Sequence, residues 1–174
     1  MINYWKIEKI KKKRFTIDKD VDHECSQECI DLIKYFEGFK KEAYPDTGGV
    51  WTIGYGTTRY SKFKRVKKGD VVTKTQAEAY LKEDVARFVK AVNKRVTVPL
   101  EQHQFDALVC WTYNLGETNL RKSTMLKVLN KGLYDQVPNQ MRRWNKDNGK
   151  VIRGLVRRRH AEATLFESGI SIRG

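Results

Sequence analysis

Proline is scarce, with three in 174 residues, and no tract rich in Ser, Gly or Gln interrupts the chain. This composition argues against long disordered linkers. No apolar run approaches the roughly 20 residues that a membrane-spanning helix needs. The basic N-terminus, MINYWKIEKIKKKRF, lacks the apolar stretch of a secretory signal. Cysteines number three, Cys25, Cys29 and Cys110, so at least one stays unpaired if the others pair within the chain. His23, His103 and His160 are scattered, and no Cys/His cluster has zinc spacing. Small apolar thiols in a reducing compartment are the favoured reading; a disulfide from Cys110 to Cys25 or Cys29 stays open. No internal repeat is present.

Positive charge, in contrast, is abundant. The formal net charge is +14, which biases partners toward polyanions such as nucleic acid, anionic lipid or bacterial wall polymers. For any single lysine, a solvated surface position is the plainer reading. The chain is 40% hydrophobic, with four Trp, eight Tyr and seven Phe. That suffices for one domain, or two small lobes sharing a core.

Residues 1–23 read as a basic extension carrying Lys11-Lys12-Lys13-Arg14, and 24–174 as the folded domain. A helix is predicted from about Ser26, a plausible N-cap, to Glu37, with Gly38 as its stop. Ile30, Ile33 and Glu37 share one face. Residues 39–60 change character: Pro45-Asp46-Thr47-Gly48 signals a turn, and glycines punctuate Val50, Trp51, Ile53 and Tyr55. A small hairpin or three-stranded sheet follows, in a β lobe of about 39–72. Thr75-Gln76-Ala77-Glu78 reads as a capping box opening a long helix to about Arg95. Pro99 opens the next segment, where ALVCW at 107–111 is apolar nearly all round and marks a buried central helix ending near Gly116. Shorter helices are expected at about 123–131 and 133–145, and a last one at about 155–167 with Arg158 and Glu162 paired at i,i+4. The pattern is α+β.

Glu37 is the informative residue. It sits on an apolar helix face at the C-terminal end, and both burial and the negative end of the helix dipole favour the protonated carboxyl. A general acid working near neutral pH needs that state. Asp46 lies nine residues on, in a turn, and Thr52 six further, in a strand. Each alone is ordinary: turns favour Asp, and strands favour Thr. Facing one another across a cleft, the three would form a two-carboxylate hydrolytic site with a hydroxyl to help hold water.

Phe36-Glu37-Gly38, Ala43-Tyr44-Pro45-Asp46 and Gly49-Val50-Trp51-Thr52-Ile53-Gly54-Tyr55-Gly56-Thr57-Thr58 together resemble the signature of the phage-type lysozymes, glycoside hydrolase family 24. The resemblance continues in Val71–Glu78, Val98-Pro99-Leu100, Gln104–Val109, Tyr113-Asn114-Leu115-Gly116, Gly154–Arg159 and Glu162, covering about residues 26–167. It implies a lysozyme-like α+β fold: a small β lobe and a larger helical lobe joined by a long helix, with a cleft between. It further implies an endolysin-type muramidase that hydrolyses the β-1,4 bond between N-acetylmuramic acid and N-acetylglucosamine. Glu37 would be the acid, and Asp46 with Thr52 would orient water. Tyr113, Asn114 and, more weakly, Thr58 would line the substrate cleft; helix capping and ring packing are the structural alternatives for Asn114 and Tyr113.

No metal or organic cofactor is implied. The partner that the resemblance implies is peptidoglycan, with a monomer, no membrane span and no nucleic acid expected. Accumulation in the producing cell's cytoplasm, with release by another factor, is expected by the same analogy. The chain departs from the family's pattern at Thr57, where His usually follows Gly-Tyr-Gly and helps tie the β lobe. Arg157, Arg158 and Arg159 read as structural or wall-binding, and Trp111 and Trp144 as core. A non-catalytic peptidoglycan-binding protein on the same scaffold is the alternative. A basic nucleic-acid-binding module is the more distant one, without a motif to support it.

Overall fold

The computed structural model describes residues 22–172. The extension proposed for 1–23 lies almost entirely outside them. Helix α1 spans Gln27–Glu37, with Ser26 as its N-cap residue. Cys29, Ile30, Leu32 and Ile33 form its buried face, as the apolar spacing predicts. The Ser26 hydroxyl does not cap the helix; it donates to Asp106 Oδ2 at 2.6 Å, fastening the start of α1 to the central helix.

The β lobe consists of two hairpins rather than a three-stranded sheet. β1 (Lys40–Pro45) pairs antiparallel with β2 (Trp51–Gly54), setting Tyr44 opposite Thr52 and Pro45 opposite Trp51. β3 (Arg59–Ser61) pairs with β4 (Lys64–Arg65). The break falls at Gly54 and Gly56, whose φ angles are +64° and +98°. Those left-handed values end regular pairing after β2 and are strained for any side chain. A Cβ on Gly54 would also stand 2.9 Å from that of Ala77, so the missing side chain lets the lobe press onto the next helix.

That helix, α2 (Lys74–Arg95), joins the lobes. Its capping box is Thr73 with Gln76, two residues before the predicted pair. The sequence holds two overlapping Thr-x-x-Glu/Gln frames, and Glu78 is taken by Lys34 of α1 at 2.5 Å. α3 (Gln102–Leu115) is the central helix, with every residue from Phe105 to Thr112 buried, and it begins after Pro99 behind a Glu101/Gln104 capping box. α4 (Glu117–Lys122) is a short helix not expected from the sequence; α5 (Thr124–Leu129) answers to the helix expected at about 123–131, and a 3-10 turn (Tyr134–Gln136) followed by α6 (Val137–Arg142) to the one expected at about 133–145. Short strands β5 (Lys146–Asp147) and β6 (Lys150–Val151) form a third hairpin before α7 (Arg153–Ser168), which packs along α3. Trp111 is fully buried and meets Trp144 edge-on with ring centres 5.3 Å apart. Both belong to the core, as expected.

Thr57 has a partner that makes its presence intelligible. Its buried hydroxyl donates to Asp84 Oδ2 of α2 at 2.7 Å, bracing the β lobe against the connecting helix. Burial pushes the Asp84 carboxyl up, and this hydrogen bond pulls it back. Thr57→Val is expected to cost about 1–3 kcal/mol in urea unfolding, because a buried acceptor loses its donor. The loss should be largest at neutral pH. The donor stabilises the charged carboxylate most, so removing it raises the folded-state pKa further; stability then falls more steeply as pH rises through that value, while in acid both proteins hold Asp84 neutral. An equal cost at pH 3 and pH 7 would disprove the bracing role.

Candidate active site

α1 ends in the left-handed Gly38, whose N–H returns to the Lys34 carbonyl at 3.0 Å. Glu37 is thereby the last helical residue. Its side chain is 22% exposed, so it reaches solvent without standing in it. Oε1 lies 2.5 Å from Nη1 of Arg158, a residue of α7 buried in the core. Oε2 faces Gly56: a Cβ there would lie 3.4 Å from Oε2 and 3.3 Å from the Tyr113 hydroxyl. Glycine at 56 thus lets the backbone run against both side chains. Tyr113 donates to the Tyr55 carbonyl at 2.8 Å. Its phenol is pushed well up, first by burial and then by Glu37 and Asp84, so it remains a donor.

Arg158 is one link in a buried chain. Its Nε donates to Glu162 Oε1 at 3.2 Å, Arg159 Nη2 donates to the same oxygen at 2.9 Å, and that Nη2 also donates to Asn114 Oδ1 at 2.9 Å. Burial works against the Arg158 charge, but Glu37 and Glu162 outweigh it and hold the guanidinium protonated. Helix α7 therefore fixes two side chains of the cleft at once, Glu37 and Asn114. Sequence reasoning found the Arg158–Glu162 pair and a structural role for the arginines. It missed that Arg158 reaches Glu37, 121 residues away. The available signal was weak: three consecutive arginines on one helix cannot all face solvent if its other face packs.

Asp46 occupies the exposed turn between β1 and β2. Its Oδ1 accepts from the N–H groups of Gly48 and Val50 at 2.9 and 2.8 Å. The carboxylate shapes its own loop, as Asp in turns does. Thr52 is 5% exposed, and its hydroxyl donates to the Val50 carbonyl at 3.1 Å. Tyr44, opposite Thr52, links these residues to Glu37. Burial raises its phenol pKa, and the charges of Glu37 and Asp46 raise it further, so both carboxylates act on one ring.

A cavity of about 500 Å³ opens beside Glu37, with Gly56, Thr58, Asp84, Tyr113 and Asn114 among its walls. Three predicted cleft residues, Thr58, Tyr113 and Asn114, thus share a cavity with Glu37. Asp46 and Thr52 are not in its lining; they sit on the neighbouring hairpin. A second cavity of about 500 Å³ includes Phe36, Asn114, Ile152 and Arg158, so Asn114 belongs to both. Among the described residues no group of His, Cys, Asp and Glu is arranged to hold a metal ion, and no helix is long and apolar enough to cross a membrane.

The phage lysozyme family model matches residues 34–162. The chain belongs to the phage lysozyme family. Its matched segment begins just before Glu37 and ends at Glu162, spanning both ends of the buried charge chain. Among family relatives, the endolysin of Acyrthosiphon pisum secondary endosymbiont phage 1 is 42% identical over 147 residues, covering 82% of this chain and 97% of its own. Among solved structures, the endolysin from Escherichia coli O157:H7 phage FAHEc1 superposes with a TM-score of 0.81 at 42% identity, covering 87% of this chain and 98% of its own. The muramidase domain of SpmX from Asticaccaulis excentricus gives 0.76 at 37% identity, with coverages of 83% and 97%. The lysozyme-like arrangement of two lobes about a cleft is thereby shared across proteins from different sources.

Proposed function

We propose that this chain is an endolysin-type muramidase, a glycoside hydrolase of family 24, that cuts the β-1,4 bond between N-acetylmuramic acid and N-acetylglucosamine in peptidoglycan. Membership of the phage lysozyme family supports peptidoglycan hydrolysis. The observation that carries the assignment of roles is the division of labour at Glu37. Arg158 holds Oε1, while Oε2 faces the cavity wall at Gly56. In this reading Glu37 carries a proton on Oε2 and gives it to the glycosidic oxygen as the bond breaks. Arg158 fixes the carboxyl's orientation, which serves proton transfer by limiting the geometries to be searched.

The growing positive charge on the sugar is met by Asp46, whose Oδ1 is anchored by two backbone donors. The Thr52 hydrogen is committed to Val50, so its oxygen offers lone pairs to a water that Asp46 can deprotonate. Water attacking from the face opposite the leaving group gives inversion. Thr58, Tyr113 and Asn114 contact the glycan along the cavity, and the net positive charge favours a polyanionic wall, an attraction that salt weakens.

Asp46→Asn keeps an oxygen for the two turn N–H groups but loses the charge. Clearing of a wall suspension is expected to slow by at least about a hundred-fold, with unchanged thermal unfolding. Thr52→Ala should slow it less. The bond itself is tested by mass analysis of digested peptidoglycan: reducing N-acetylmuramic ends are expected. Anhydro ends, peptide cleavage or no cleavage would each overturn the reading, and no cleavage with retained wall binding would favour a non-catalytic binding protein.

A further inference from the structure

Three thiols meet at the end of α1 remote from Glu37. Cys29, on its first turn, and Cys110, in the middle of α3, lie Sγ to Sγ at 3.4 Å. Both are essentially without solvent exposure, at 0% and 1%. The Cys110 thiol also donates to the Cys29 carbonyl at 3.5 Å, and the Cys29 thiol to the Asp106 carbonyl at 3.6 Å. Cys25 completes the group. It precedes the N-cap of α1, is half-buried, and its thiol lies near enough to that of Cys29 for the two to influence each other's ionisation. Unlike the other two it lines an open cavity of about 510 Å³, with His23, Lys82, Lys90 and Asn93 among its neighbours. Cys25 thus reaches solvent, while Cys29 and Cys110 are both enclosed. None takes part in the hydrolytic site.

We propose that Cys25 is an oxidation site for small hydroperoxides, and that it relays the oxidation inward to leave a disulfide between Cys29 and Cys110. The thiolate of Cys25 attacks one peroxide oxygen; the O–O bond breaks, Cys25 becomes a sulfenic acid, and hydroxide leaves. Cys29 Sγ then displaces the sulfenic hydroxyl. A Cys25–Cys29 bond forms, and the thiol proton of Cys29 departs with the hydroxyl as water. Cys110 Sγ next attacks Cys29 Sγ, and its proton passes to the released Cys25 sulfur. In sum two thiols are oxidised, one peroxide is reduced, and Cys25 is regenerated.

Geometry supports each transfer. Cys25 lies four residues before Cys29 at the start of α1, and the two thiols interact. Cys29 and Cys110 are already in contact. The ionisation order agrees: the neighbouring Cys29 side chain lowers the Cys25 thiol despite its burial, whereas Cys29 is pushed well up by Cys110, by Cys25 and by burial. The product would tie α1, which carries Glu37, to α3, which carries Tyr113 and Asn114, closing a loop of 81 residues.

The test treats the full chain with hydrogen peroxide at neutral pH and follows it by intact mass, non-reducing peptide mapping and thermal unfolding. The wild type should pass through a Cys25–Cys29 link and end with Cys29–Cys110, losing two hydrogens, keeping an alkylatable Cys25, and melting several degrees higher until dithiothreitol reverses the gain. Cys25→Ser should form the same final link at least about ten-fold more slowly, since its buried thiols are shielded from the oxidant. Cys110→Ser should stop at Cys25–Cys29. The relay is overturned if Cys25→Ser is crosslinked at the wild-type rate. It is equally overturned if the wild-type time course gives Cys25 sulfinic acid with Cys29 and Cys110 untouched.

Discussion

Glu37→Gln protein is expected to fold as the wild type does and to clear a bacterial wall suspension roughly 10²–10⁴-fold more slowly, the usual contribution of a positioned acid. The amide keeps nearly the same volume, and its oxygen can still accept from Arg158 Nη1, so the orientation seen in the structure survives. What it lacks is a transferable proton. Stability should change little, because Glu37 is partly exposed and Arg158 retains Glu162 as a buried counter-charge. The two measurements separate a chemical from a structural role: a matched melting temperature with lost turnover assigns the acid to Glu37, and unchanged turnover of a folded Glu37→Gln protein refutes that assignment. Arg158→Met is the informative companion. It leaves the carboxyl but frees its orientation, and it should lower both turnover and melting temperature.

These expectations show which parts of the protein are legible from its residues. α1 was readable because Ile30, Ile33 and Glu37 repeat at helical spacing and Gly38 ends the run; its observed limits differ by one residue. The central helix was readable from ALVCW, an apolar stretch that only a fully buried position accommodates. The β lobe was less so. Its glycines announce turns, but whether they close one sheet or separate two hairpins depends on packing against Ala77, thirty-odd positions from β1. The helix that Ser123 caps was readable; the short α4 before it was not, because six residues are too few to show a periodic apolar face. Of the site, the residue types and spacing of Glu37, Asp46 and Thr52 are local properties of one short segment. The Arg158 contact is not: it joins the first and last helices, and no periodicity within either reports it.

Glu162 is where that long-range network is expected to be most costly to disturb. Its side chain has no solvent exposure, and it stands between two arginines: Oε1 takes Arg158 Nε and Arg159 Nη2, while Oε2 lies 2.9 Å from Arg159 Nε. Burial pushes its carboxyl up and the two guanidiniums pull it back. Replacing Glu162 by Gln removes the only acid that Arg159 meets in this chain of contacts, leaving it with the neutral Asn114. A buried cation without a counter-charge costs about 3–5 kcal/mol. For a chain of this size the melting temperature should then fall by roughly 6–20 °C, at about 2–4 °C per kcal/mol. Turnover of the folded fraction should fall as well, because Glu37 and Asn114 both take their positions from the arginines that Glu162 holds. Removing acid and base together distinguishes charge balance from simple packing: Arg159→Met with Glu162→Leu should recover much of the stability that Glu162→Gln loses, since an apolar replacement strands no charge. Loss of less than about 1 kcal/mol in Glu162→Gln, the range of a solvated surface pair, would mean that water reaches the arginines, and the rigid link between the two ends of the cleft would have to be abandoned.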